Sequence, residues 1–98
     1  MKVKFLISAM EDMRSIKTYI ARDNPKAAVR MIKKIKTAVK HLEEFPNSGR
    51  IIPESNNPQL REVIVSNYRI MYQVSASAIN VFAVSKAIVV PSPVKVSA

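Results

Sequence analysis

Ninety-eight residues, 48% of them apolar and 23% charged, make one domain with a single core. No apolar run approaches the ~18 residues of a membrane span; the basic start is followed by too few apolar residues for a leader peptide before Glu11 and Asp12, and no cysteine is present for a disulfide, thiolate site or nucleophile. Sixteen Lys+Arg against seven Asp+Glu give +9, a field that draws polyanionic partners, and the default compartment is the cytoplasm.

Lys2 to Ile7 alternates as a strand, with Val3, Phe5 and Ile7 on one side. Ser8-Ala9-Met10-Glu11 has the spacing of a capping box, which predicts a helix starting at Ser8. Ala9, Met13, Ile16 and Ile20 form its apolar stripe, with Tyr19 to one side. Asn24-Pro25 predicts an N-cap and first residue for a second helix, because an asparagine oxygen accepts a free amide there and proline has none to waste. Ala28, Met31, Ile32, Ile35, Ala38, Val39 and Leu42 share one arc of that helix. Lys26, Arg30, Lys33, Lys34, Lys36 and Lys40 take the opposite arc, and Glu44-Phe45-Pro46 ends it. A linker this short makes the two helices an antiparallel hairpin.

Residues 47–59 are rich in turn formers and predict an irregular loop, with Gly49, the only glycine, as the expected left-handed position. Three β-rich runs follow: Leu60 to Val65, Tyr68 to Val74 and Ala78 to Val84, joined by Ser66-Asn67 and Ser75-Ala76-Ser77 as an antiparallel meander. The expected fold is a two-layer α+β domain of order β-α-α-β-β-β, its antiparallel sheet packed on the helical hairpin and joined by the first strand. It spans residues 1–98, with a mobile tail expected from about residue 91.

Chemistry is thin. No phosphate-binding glycine loop, nucleophile elbow or zinc helix motif is present, no cofactor or metal is expected, and His41 lies near the basic outer arc. Arg61 and Arg69 stand in the β-hairpin from Arg61 to Tyr72, so one face of that hairpin must be open to water or a partner, because a guanidinium is costly to bury. Arg69 either pairs with Glu62 across the hairpin or meets a phosphate or acidic partner; the residues alone leave both open. Arg50, Arg61 and Lys86 are candidates for the same patch.

The order of these features resembles the RelE/ParE superfamily of type II toxin–antitoxin toxins. The matching residues are Ala9-Met10-Glu11-Asp12-Met13, Tyr19-Ile20, Asn24-Pro25-Lys26-Ala27-Ala28, Leu42 before Phe45-Pro46, Gly49-Arg50, Pro53-Glu54, Arg61-Glu62-Val63 and Tyr68-Arg69-Ile70-Met71-Tyr72. The helix start, the Gly-Arg loop and the Arg-Glu strand look more like the ParE branch. That resemblance implies a plasmid-stabilisation type toxin that poisons DNA gyrase by binding and is neutralised by a cognate antitoxin. The RelE branch implies instead mRNA cleavage on the ribosome, with Arg69 at the position of a functional arginine and Arg61, Arg69 and Lys86 as catalytic candidates. Family members often carry a histidine or basic cluster after the last strand; here Val84-Ser85-Lys86-Ala87-Ile88 supplies only Lys86. Arg69 and Lys86 can stabilise charge but are poor proton shuttles at neutral pH, so the expectation leans away from an enzyme. An inactive member that only binds an antitoxin is the third reading. Partner contacts are expected at Arg50, Arg61, Arg69 and Lys86.

Overall fold

A computed structural model describes residues 1–87. The expected mobile tail from about residue 91 lies outside the described residues. The chain runs β1 (Lys2–Phe5), α1 (Ile7–Ala21), α2 (Pro25–His41), β2 (Arg50–Ile51), β3 (Leu60–Val65), β4 (Tyr68–Val74) and β5 (Ala78–Lys86). The strands form one sheet of order β1-β5-β4-β3-β2. β3, β4 and β5 are the antiparallel meander read from sequence. The sheet as a whole is mixed, because β1 runs parallel to β5, and a short β2 from the supposed loop adds an antiparallel edge on β3.

The core is the layer between helices and sheet. Ala9, Met13 and Ile16 of α1 and Ile35 and Val39 of α2 meet Tyr68, Ile70, Tyr72, Ile79, Val81 and Val84 of the sheet. Periodicity in the sequence therefore found the buried stripes of both helices. Each buried Leu, Ile or Val contributes on the order of 1.5–3 kcal/mol to stability, against which the chain's conformational entropy acts.

Three local expectations are corrected. Helix α1 begins at Ile7 with Leu6 as its N-cap residue, no side chain caps it, and Ile7 is exposed rather than in line with Val3 and Phe5. Ser8 instead donates its hydroxyl to the Phe82 carbonyl at 2.6 Å. The ladder skips Phe82, since Met71 faces Ala83 and Tyr72 faces Val81, so this bulge offers an acceptor that a local capping box cannot outcompete. Asp12 completes the pinning of α1 to β5 by accepting the Val84 amide at 2.9 Å. Gly49 does not have positive φ; the left-handed residues among those described are Asn56 (φ 52) and Ser66 (φ 55). Ser66 is left-handed because a two-residue hairpin turn needs φ > 0 to match the strand twist. Asn24, by contrast, caps α2 as read from sequence, accepting the Ala27 amide at 3.0 Å ahead of Pro25.

Candidate functional site

Strand register places the site residues on two different faces. Residues opposite each other across a ladder share a face, and Arg50 faces Glu62, Glu62 faces Met71, and Ile64 faces Arg69. Arg50, Glu62 and Arg69 therefore stand together on the side of the sheet away from Tyr68, Ile70 and Tyr72, and so away from the helices. Arg61 faces Tyr72 and Lys86 faces Tyr68, which puts both on the helix side.

On the outer face the Glu62 carboxylate is fully enclosed between two guanidinium forks. Arg50 donates through Nε to Oε2 at 2.7 Å and approaches it with Nη2 at 2.6 Å. Arg69 engages the other oxygen, Oε1, with Nε at 2.7 Å and with Nη2. Arg69 also reaches Glu54 of the loop before β3, Nη1 to Oε2 at 3.1 Å. Hydrogen bonding from Arg69 holds the exposed Glu54 carboxyl below its usual pKa. In return Glu54 first, and Glu62 after it, keep the Arg69 guanidinium protonated even more firmly than usual, against the opposing effect of burial. Two arginines and two glutamates make this cluster neutral in sum. The expected open cationic patch is a closed ion-pair network, and the pairing of Arg69 with Glu62 is the geometry found.

On the helix side, Arg61 Nη1 donates to the carbonyls of Gly49 at 2.8 Å and Asn47 at 3.3 Å, while its buried Nε has no partner among the described residues. Beside it, Tyr72 threads the sheet to the loop after α2: its hydroxyl donates to the Pro46 carbonyl at 2.9 Å and accepts the Gly49 amide at 3.0 Å. Burial raises the Tyr72 pKa above its ordinary 10.0, with the Gly49 amide and then Arg61 pulling the other way. A Cβ at position 49 would collide with the Tyr72 hydroxyl and lie 2.7 Å from the Glu62 carbonyl oxygen. Close approach, not backbone handedness, is what glycine supplies there.

Lys86 lies at the far end of β5, its ammonium 5.9 Å from the centroid of the Tyr19 ring on α1. Thus only Arg50 and Arg69 of the four expected site residues come together. His41, exposed, stacks near Phe45 with centroids 4.8 Å apart and approaches none of them in hydrogen bonding. Among the described residues no cluster of His, Asp and Glu is arranged to hold a metal ion, and no helix is long and apolar enough to cross a membrane. Sequence reasoning missed Tyr72 and Gly49 as organisers of this corner. Their only signal was a lone glycine 23 residues before a tyrosine, which carries no local period.

A separate feature lies beside the helices. An open groove of about 470 Å³ is floored by Phe5, Met10, Met13 and Ile32 and fringed by Arg14, Lys17 and Lys36. An apolar floor with a cationic rim fits the apolar stripe of an acidic amphipathic segment.

Comparison with known proteins agrees with this architecture. Residues 3–87 match the family described as the ParE toxin of the type II toxin–antitoxin system parDE. The chain is 36% identical over 74 residues to Toxin RelE2 of Caulobacter vibrioides, covering 74% of this chain and 80% of that one. It is 33% identical over 76 residues to the putative toxin Y4kP of Sinorhizobium fredii, covering 76% of each. Among solved structures, a chain of the chromosomal ParDE system of P. aeruginosa superposes with a TM-score of 0.74 at 22% identity, over 90% of this chain and 97% of that one. A chain of the RelBE2 toxin–antitoxin complex of Mycobacterium tuberculosis gives a TM-score of 0.60 at 13% identity, over 87% and 95%. These two show a shared fold of two helices on an open mixed sheet. The family match and the two toxin relatives go further: the chain belongs to the ParE toxin family of type II toxin–antitoxin systems, within the RelE/ParE superfamily.

Proposed function

We propose that this toxin acts by binding, with DNA gyrase as its target, and that an antitoxin neutralises it by occupying the groove between Phe5, Met10 and Ile32. The observation that carries the reading is the engagement of Arg69. Its guanidinium is committed to Glu62 and Glu54, so its donors are turned to carboxylates rather than offered to a scissile phosphate. In-line RNA cleavage needs a proton acceptor, a donor and charge stabilisers around one phosphate. Arg61 and Lys86 stand on the other side of the sheet from Arg69, and the paired Arg50 is the only other expected cation beside it. The antitoxin partner is supported by the groove's chemistry and by the toxin–antitoxin complexes among the structural neighbours.

Purified protein should inhibit gyrase supercoiling of a relaxed plasmid, and addition of a cognate antitoxin should relieve that inhibition. Unimpaired supercoiling together with ribosome-dependent mRNA cleavage lost in Arg69→Ala would replace this reading with the RelE-like endoribonuclease, which the RelE2 relative favours. Normal growth on expression without antitoxin, with neither activity in vitro, would make the chain an inactive binder.

A further inference from the structure

We propose that the outer face of α2 is a docking surface for the phosphate backbone of double-stranded DNA, read without regard to sequence. Lys26, Arg30, Lys33, Lys34 and Lys40 are all exposed on this helix, and the ion pairs among the described residues leave every one of them free. At ~100° per residue these five cations fall within about 120° of the helix circumference, opposite the arc of Ala28, Ile35, Val39 and Leu42 that enters the core. From Lys26 to Lys40 the stripe runs about 21 Å at 1.5 Å per residue. B-form DNA presents about a dozen charges along that length, at one per ~1.7 Å.

The side chains between the cations decide what kind of polyanion fits. Thr37 is the exposed neutral residue inside the stripe and Val29 lies at its edge; the nearest rings, His41 and Phe45, stack on each other beyond Lys40 at the end of the helix, so no aromatic ring is interleaved with the five cations. Single-strand binders stack bases on aromatic platforms, and protein partners need an apolar core to the interface. This face has neither, whereas the groove at Phe5, Met10 and Ile32 has the apolar floor. A helix about 10–12 Å across matches the ~12 Å major groove of B-DNA, with lysines on both flanks able to reach the two phosphate rails. The major groove of A-form RNA is too deep and narrow for it. Lysine-dominated contacts to phosphates position a protein but carry no base information.

The test uses the full chain and a fluorescein-labelled 20-base-pair duplex, read by anisotropy between 50 and 200 mM KCl. The expected slope of log K against log[KCl] is about −4.5, from five phosphates at ~0.9 each, and equal for a scrambled duplex. Lys26→Gln/Arg30→Gln/Lys33→Gln/Lys34→Gln should lose more than about tenfold in affinity and reduce the slope by about 3.6. A control of the same net charge, Lys2→Gln/Lys4→Gln/Arg14→Gln/Lys17→Gln, should lose clearly less, with circular dichroism showing both variants folded. Equal losses in the two variants would reduce the effect to overall charge and overturn the proposal. So would single-stranded DNA or duplex RNA binding as tightly as duplex DNA, or no binding at 50 mM KCl. Gyrase plays no part in this measurement, so its outcome stands apart from the proposed function.

Discussion

Replacing Glu62 with glutamine keeps the shape of the side chain but removes the charge on which two guanidinium groups converge. The Glu62 side chain is 0% exposed, Arg69 19% and Arg50 64%. Breaking a buried ion pair by removing one partner costs roughly 3–5 kcal/mol, while an exposed pair is worth roughly 0.2–1 kcal/mol. Arg50 can return to water, so its share belongs at the low end. Arg69 cannot escape as easily, but it retains Glu54 and one amide oxygen as acceptors. Glu62→Gln should therefore cost about 2–3 kcal/mol, which lowers the melting temperature of a domain this size by roughly 10–20 °C. Urea unfolding followed by circular dichroism measures it, with Arg50→Ala and Arg69→Ala completing two double-mutant cycles. The Glu62–Arg69 coupling should exceed the Glu62–Arg50 coupling by about 1 kcal/mol or more. A Glu62→Gln cost below about 1 kcal/mol, or equal couplings, would refute the view that burial of Arg69 decides the energetics.

Tyr72→Phe should destabilise the protein by roughly 1–3 kcal/mol near neutral pH, because it leaves the buried Gly49 amide without an acceptor. The folded pKa of Tyr72 lies above its ordinary 10.0, so the advantage of the protonated hydroxyl is complete below about pH 10 and fades as pH rises through the folded value. The gap between wild type and Tyr72→Phe in urea midpoints should accordingly narrow at alkaline pH; a constant gap counts against the assignment. Gly49→Ala should cost roughly 1–3 kcal/mol in the same assay, since the Glu62 backbone and Tyr72 must both move, and a neutral outcome would show that this corner is loose. Asn24→Ala should cost about 1 kcal/mol through the lost cap on α2. At the start of α1 the capping-box reading is tested by contrast: Ser8→Ala should destabilise and Glu11→Ala should be nearly neutral, and the reverse order would restore the local cap.

Periodic features were legible in the sequence because each depends on residues three, four or two apart. The stripes Ala9-Met13-Ile16 and Ala28-Ile35-Val39, and the alternation of Tyr68, Ile70 and Tyr72, all face the core. So was the Asn24-Pro25 start, where donor and acceptor are three residues apart. The misses share a different property: their partners are far away in the chain. Ser8 is satisfied by Phe82 and Asp12 by Val84. Gly49 is glycine because Tyr72 arrives from another strand. β2 lies within the expected loop because its two residues carry no alternation and pair only once β3 is beside them. The division of the four expected cations between two faces is hidden for the same reason. Spacing along β3 and β4 identifies which residues can share a face, but Arg50 and Lys86 had no sequence neighbour to fix their side. Register alone separates Arg50 and Arg69 from Arg61 and Lys86.

The closing of Glu62 over Arg69 redistributes where this toxin can offer charge. Arg50 and Arg69 are neutralised in place by Glu62 and Glu54, so the +9 of the chain is expressed chiefly on the helical hairpin. There it falls on two surfaces of different chemistry. Arg14, Lys17 and Lys36 border an apolar floor, while Lys26, Arg30, Lys33, Lys34 and Lys40 are exposed on the outer face of α2. On α2 the groove begins at Ile32 and Lys36, to one flank of the lysine stripe, so a segment seated in the groove leaves Lys26, Arg30 and Lys34 uncovered. Antitoxin in the groove and DNA on α2 are then geometrically compatible, because Lys36 on the groove rim is not one of the five cations of the stripe. A toxin whose antitoxin displaces it from DNA would need contact between the two surfaces that this arrangement of α2 does not supply.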